Sequence, residues 1–195
     1  MPDYILYSER RGLGIRHKPD ARVYADTKLW LVPNYFVVGI DANVFIQAQN
    51  GPYNMDVFPA FWEWIDQQTE VGIIASSTFV FDEIQGEGPL QDWIKSRKKS
   101  GLFITPSKDA QEKIAEITTY VLQNYDRALG EFFLSGADPW IIAEAYAQDA
   151  KVVTMEKLVP PNSKKVKIPN ICRAFKVEWL DTYQLLSELG ARFTL

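Results

Sequence analysis

Histidine and cysteine are almost missing from this chain, with one of each, His17 and Cys172, in 195 residues. His17 lies far in sequence from the apolar segments, which argues against a Ser-His-Asp or Cys-His triad in the core and against a histidine-rich zinc site. A lone cysteine can form neither an intramolecular disulfide nor a zinc cluster, as expected of a reducing, intracellular compartment. No run approaches the roughly 18 to 20 apolar residues of a membrane span. The opening Met1-Pro2-Asp3-Tyr4 lacks the charged-then-apolar layout of a secretory signal, so a cytoplasmic location is expected. There is no excess of positive charge either. The formal net charge is -4, and any nucleic-acid binding has to come from local patches. If the chain performs hydrolysis, carboxylates must carry it.

What is present is apolar and aromatic. A hydrophobic share of 47% and an aromatic share of 13% describe a packed globule of one domain. Residues 1–35 read as an N-terminal extension, a hairpin or an arm, with Arg10, Arg11, Arg16, Lys18, Arg22 and Lys28 outnumbering the acids. The domain proper spans 36–195. It opens on Tyr35-Phe36-Val37-Val38-Gly39-Ile40, an unbroken apolar run of the kind that forms a buried strand of a parallel sheet, ended abruptly by Asp41. Further short strands are expected at Gly72–Ala75, Leu102–Ile104, Lys151–Thr154 and Val177–Leu180.

Helical patterns fill the intervals. Asp56 reads as the cap of an aromatic helix carrying Phe58, Phe61, Trp62, Trp64 and Ile65, with Pro59 in its first turn. Ser76 and Ser77 offer caps to a short helix stopping at Gly86, and a further helix carries Leu90, Trp93 and Ile94. One long amphipathic helix is expected from Asp109 to Leu129, and a nearly all-apolar, central one from Asp138. The last is capped by Asp181 with Gln184 three residues on. Strands alternating with helices imply a three-layer α/β/α fold around a mostly parallel five-stranded sheet.

In such sheets ligands sit beyond the carboxyl ends of the strands, and four acids are candidates for that place. Asp41 follows the first strand directly, where it would either serve chemistry or cap the next turn. Glu83 falls inside the apolar arc of its helix, near ~40° on a wheel begun at Phe79, while Asp82 falls near ~300° outside it. A buried carboxylate needs a cation or hydrogen bonds, so Glu83 is either functional or part of a structural ion pair. Asp138 reads as the cap of its helix, a role compatible with ligating a metal. Glu156 follows the fourth strand and is either a site acid or a solvated loop acid. Thr154 beside it offers a hydroxyl to water or phosphate. Anions gathered in one crevice repel one another unless a divalent cation sits among them, and hard oxygen donors without histidine suit Mg²⁺ or Mn²⁺.

The pieces Ile40-Asp41-Ala42-Asn43-Val44-Phe45, Phe81-Asp82-Glu83-Ile84, Ser135-Gly136-Ala137-Asp138-Pro139-Trp140 and Val152-Val153-Thr154-Met155-Glu156, in that order, resemble the PIN-domain nucleases. The resemblance covers about residues 36–195 and is nearest to a prokaryotic PIN-like subgroup linked to toxin–antitoxin loci. It implies RNA cleavage by metal-activated water, leaving a 5′-phosphate and a 3′-hydroxyl. Asp41, Glu83, Asp138 and Glu156 would then be catalytic metal ligands, with Asn43 orienting Asp41. It further implies an antitoxin partner and a homodimer, for which the aromatic helix around Phe58 to Trp64 is a candidate face, although core packing also accounts for it.

Two basic stretches could hold an RNA backbone or be plain solvated surface. They are Lys164, Lys165, Lys167 and Arg173, with Lys176 beyond, and the run Lys95, Arg97, Lys98 and Lys99. Two other functions fit the same residues. One is a phosphoacceptor α/β protein with Asp41 as acceptor, and the other a non-catalytic PIN-like module that binds RNA or protein.

Overall fold

In the computed structural model, which describes residues 38–193, the run ahead of Asp41 forms the strand β1 (Val38–Ile40). Helices α1 (Ala42–Gln49) and α2 (Pro59–Glu70) follow. Next come β2 (Ile74–Ser77), α3 (Thr78–Glu83), α4 (Pro89–Ser96) and β3 (Phe103–Ile104). The second half contains α5 (Lys108–Asn124), α6 (Arg127–Leu134), α7 (Asp138–Gln148), β4 (Lys151–Val153), α8 (Ile168–Phe175), β5 (Trp179–Leu180) and α9 (Thr182–Glu188). The expected extension at 1–35 lies outside the described residues.

The five strands pair in the order β3-β2-β1-β4-β5, and every pairing is parallel. The fold is the expected α/β/α arrangement, with β1 in the middle. The chain winds outward from β1 through β2 to β3, then returns to the other side of β1 with β4. The order therefore reverses between β1 and β4, the position at which open α/β sheets hold ligands. Register brings Ile40 opposite Val153, and the Asp41 N–H continues the ladder to the Val153 carbonyl at 3.0 Å.

Several helix limits differ from the sequence reading. The long helix expected from Asp109 to Leu129 is two helices. Its cap is Ser107, whose hydroxyl accepts from the Ala110 N–H, rather than Asp109. At Tyr125 the backbone turns extended, and the Asp126 carboxylate then accepts from the N–H groups of Ala128 and Leu129 to start α6. The cap bonds outcompete the apolar period, which runs on through the break. Asp56 does not cap α2. It sits two residues short of the cap position, Phe58, and Pro59 opens the helix as expected. The capping box of Asp181 and Gln184 is present as expected. Helix α8 lies within the stretch that the sequence reading treated only as a run of basic residues.

The aromatic face of α2 belongs to the core. Phe61, Trp62 and Trp64 are buried, with Phe45 of α1, Trp62 of α2 and Trp93 of α4 in mutual ring contact. That corrects its candidacy as a dimer face. The run Lys95 to Lys99 is likewise largely occupied. The Arg97 guanidinium makes a two-pronged pair with Asp66, at 3.0 and 2.6 Å, and lies 4.5 Å from the Trp93 ring centroid. Lys95 donates to the Gly86 carbonyl, and Lys98 lies over the Phe81 ring. Arg97→Met is expected to lower stability by about 1 kcal/mol, given that the pair is partly exposed. Melting curves check this.

Among the described residues no helix is long and apolar enough to cross a membrane.

Candidate active site

The site is assembled at three helix N-termini that open toward the carboxyl end of the sheet. Unpaired N–H groups there offset part of the cost of burying negative charge.

Asp41 occupies the first. It is the residue between β1 and α1, 1% exposed, in extended backbone, and it makes no capping hydrogen bond. Its Oδ2 accepts from the hydroxyl of Thr154 at 2.8 Å. Burial pushes the Asp41 carboxyl up to about 6. The Thr154 hydroxyl and the nearby backbone and amide of Asn43 pull it down, and the charge of Glu156 pushes it further up. Thr154 is itself buried and works in two directions, since its Oγ1 also accepts from the Glu156 N–H at 3.1 Å. One hydroxyl thus ties the acid after β1 to the turn after β4, across the point where the strand order reverses.

The N-terminus of α7 holds two acids. Glu83, the last residue of α3, is exposed, which corrects its expected place in a buried arc. A six-residue helix against the sheet buries only one line of side chains, Val80 within it and Ile84 just after it, and Glu83 projects past that line. Its Oε1 nevertheless has a specific partner, accepting from the Ala137 N–H at 2.6 Å. Gly136 makes the approach possible: a Cβ there would stand 2.9 Å from the same Oε1.

Asp138 is the other acid. It is the first residue of α7, not its cap. The cap position is Ala137, whose side chain has no atom to cap with. With Pro139 next in the chain, the sequence placed the cap one residue too late. Burial pushes the Asp138 carboxyl up to about 8, followed in order by the charges of Asp41, Glu156 and Glu83, with Lys167 pulling the other way. The acids chosen from four separate segments of sequence are therefore close enough to act on one another.

Glu156 sits at the third N-terminus. Its Oε2 accepts from the Ile168 N–H of α8 at 2.8 Å, and its Oε1 is paired with the Lys167 ammonium. It is a bonded acid, not a solvated loop acid. Lys164, Lys165 and Arg173 are exposed, whereas Lys167, expected with them on one basic surface, turns inward to Glu156. The intervening loop is fixed by Asn170, which donates to the Val159 carbonyl at 2.9 Å and accepts from the Val159 N–H at 3.1 Å.

One buried acid was missed. Glu144 of α7 accepts from the Ser107 N–H at 2.8 Å and so holds the start of α5. Its signal was present, an acid inside the apolar Ile141-Ile142-Ala143-Glu144-Ala145 stretch.

The donor set is one of hard oxygens, suited to Mg²⁺ or Mn²⁺. Asp138 is a half-buried carboxyl among three others, and the Gly136 cradle admits a fourth oxygen beside it. As the side chains stand, no three His, Cys, Asp or Glu groups among the described residues are placed to share one ion. Thr154, the Ala137 N–H and the Lys167–Ile168 pair hold their acids apart, and an ion would compete with those partners.

The family model described as Domain of unknown function (DUF4411) matches residues 38–193. No curated protein matches the chain.

Proposed function

The chain belongs to the DUF4411 family, and from its site we propose a divalent-metal-dependent endoribonuclease of the PIN-like type, the toxin of a toxin–antitoxin pair acting in the cytoplasm. The observation that carries the reading is that Asp41 after β1 and Glu156 after β4 are linked through Thr154 across the reversal of strand order, while Glu83 and Asp138 meet at the start of α7. Acids at that density suit a cation and the phosphate it brings.

Asp41, Glu83 and Asp138 would hold the ion once their carboxylates turn from their present partners toward one another, with Glu156 outside them. When bound, it supplies Lewis acidity, making water a better nucleophile and screening charge on phosphate. Hydrolysis joins the oxygen of water to phosphorus and breaks the bond to the 3′ oxygen. Water gives up one proton and the departing oxygen gains one, leaving a 5′-phosphate and a 3′-hydroxyl. Asp41 fits the work of orienting water, because Thr154 fixes its rotation and neutral pH lies above its raised pKa of about 6. The exposed Lys164, Lys165 and Arg173 offer charge to the RNA backbone beyond the site.

The test is cleavage of end-labelled single-stranded RNA with Mn²⁺ and with EDTA. Metal-dependent products bearing 5′-phosphates support the reading, and intact RNA under both conditions removes it. Gly136→Ala probes the cradle separately. Its Cβ crowds the far end of the Glu83 side chain and meets the Phe133 carbonyl only at ordinary contact distance, so the melting temperature should stay within about 2 °C, while Mn²⁺ affinity falls roughly tenfold or more. Thermal shift against Mn²⁺ concentration measures both.

A further inference from the structure

A second concavity opens beyond the ends of β4 and β5. It is a groove of about 330 Å³ between the end of α1, the loop that follows it, the turn after β4 and the start of α9. The chain itself connects it to the acids. Met155, on its wall, stands between Thr154, which holds Asp41, and Glu156. Gln47 lies on α1, which starts directly after Asp41, about 9 Å along the axis at ordinary helical rise.

The groove is aromatic and uncharged. Tyr53 is a fixed wall. Its ring stacks on Phe61 at 4.3 Å between centroids, with 16° between planes, and its carbonyl accepts from the Trp62 indole N–H at 2.6 Å. Tyr183 stands across from it, with ring centroids 6.2 Å apart, and is 56% exposed. The Thr182 hydroxyl donates to the Met155 sulfur at 3.2 Å and so holds that side chain in place. Gln47 and Asn50, both exposed, bring amides that donate and accept. None of the described residues that line the groove is charged.

These features choose among occupants. Without a cation on its walls the groove has nothing to hold a phosphate. Its volume lies at the lower end of the roughly 300 to 1,000 Å³ of small-molecule sites, too little for a partner helix ~10 Å across. A flat, neutral heterocycle suits it, offering a face to tyrosine and an edge of donors and acceptors to amides. We infer that the groove takes one unpaired nucleobase of the RNA, stacked on Tyr183 beside Met155, while the backbone of the same strand crosses the acids. The inference rests on the nuclease reading above and names its substrate class, single-stranded RNA, since a base within a duplex has neither face free. Tyr183 is a binding residue and takes no part in bond making.

Fluorescence anisotropy decides it, with the full chain in EDTA, a labelled single-stranded RNA of mixed sequence and a labelled duplex of equal length. Because Tyr183 is largely exposed, Tyr183→Ala should melt within about 2 °C of the parent. It should bind the single strand roughly 5- to 50-fold more weakly, and Tyr183→Phe, which keeps the ring, should stay within about threefold of the parent. The salt dependence of affinity should be the same in all three proteins, because stacking releases no counterions. The duplex should bind parent and Tyr183→Ala equally.

Equal affinity of Tyr183→Ala and the parent for the single strand overturns the inference, as does an equal loss on the duplex. Cleavage, measured separately with Mn²⁺, is untouched by either result, and the nuclease reading then stands. Tyr183-dependent binding of an RNA that the parent never cleaves removes the nuclease reading and leaves a base-binding site without the chemistry. An RNA affinity unchanged by Tyr183→Ala, with a dimer lost in sedimentation, assigns the groove to a second copy of the chain and likewise overturns the inference.

Discussion

Asp41→Asn should reduce Mn²⁺-dependent RNA cleavage by on the order of 10³-fold while melting no lower than the parent protein. The two halves have one cause. Asparagine keeps the shape and can still accept the Thr154 hydroxyl through its amide oxygen, so the link across β1 and β4 survives. What goes is a charge in a place where charge is unfavourable. The Asp41 carboxyl is raised from 3.8 to about 6, so the folded protein holds that proton more tightly than the unfolded chain does. Stability therefore falls as pH rises between those values and stays low above them. At pH 8 without metal the variant should melt above the parent, and at pH 4 the gap should narrow. Circular dichroism melts and a gel assay check both halves. Unchanged cleavage would remove Asp41 from the mechanism, and a loss of many degrees would mark it as a structural acid.

The second large effect is a metal-dependent melting temperature that itself depends on pH. Asp138 is raised to about 8 and Asp41 to about 6, so in metal-free protein both are largely protonated at pH 5.5, and Asp138 becomes mostly ionised only above its own value. By the same sign, metal-free stability declines across this window, with the Asp138 contribution reaching to the top of it. A divalent ion competes with those protons and binds the ionised form. Mn²⁺ at about 100 times its dissociation constant contributes roughly 2.7 kcal/mol, or on the order of 5 to 10 °C for a domain of this size. The shift should be largest near pH 8.5 and small at pH 5.5, and Asp138→Asn should abolish most of it. A shift independent of pH would mean that the ion binds away from these carboxylates.

The central strand could be read from sequence because its signal is local: an unbroken apolar run ends in an acid, and burial on both faces of a parallel sheet demands that run. The capping box at Asp181 is equally local. The division of α5 from α6 was hidden for the opposite reason. Apolar spacing continues through Tyr125 and Ala128, and only the competition between two caps, Ser107 and Asp126, decides where the chain turns. Helix α8 could have been found, since Ile168, Ile171 and Cys172 repeat at helical spacing with Pro169 in the first turn.

The site divides in the same way. Its acids were visible as types at strand and helix ends, and Asn43 and Thr154 as their neighbours. Their pairings were not visible. That Glu83 reaches Ala137 from an exposed position depends on the tertiary approach of α3 to α7. A helical wheel has no information about that approach. The distinct place of Lys167 among four similar cations depends likewise on where the β4 turn returns.

The two hydrogen bonds between Asn170 and Val159 give the segment beyond β4 an unusual tolerance. Upstream, Thr154 and Glu156 fasten it to the site, and Asn170 closes it at its far side. Between these fastenings lies the tip, residues 160–165, which carries the exposed Lys164 and Lys165, while Val166 packs back on the core. Changes of length or charge there need not be transmitted to the carboxylates. A surface cassette of this kind can be exchanged while the carboxylates keep their places.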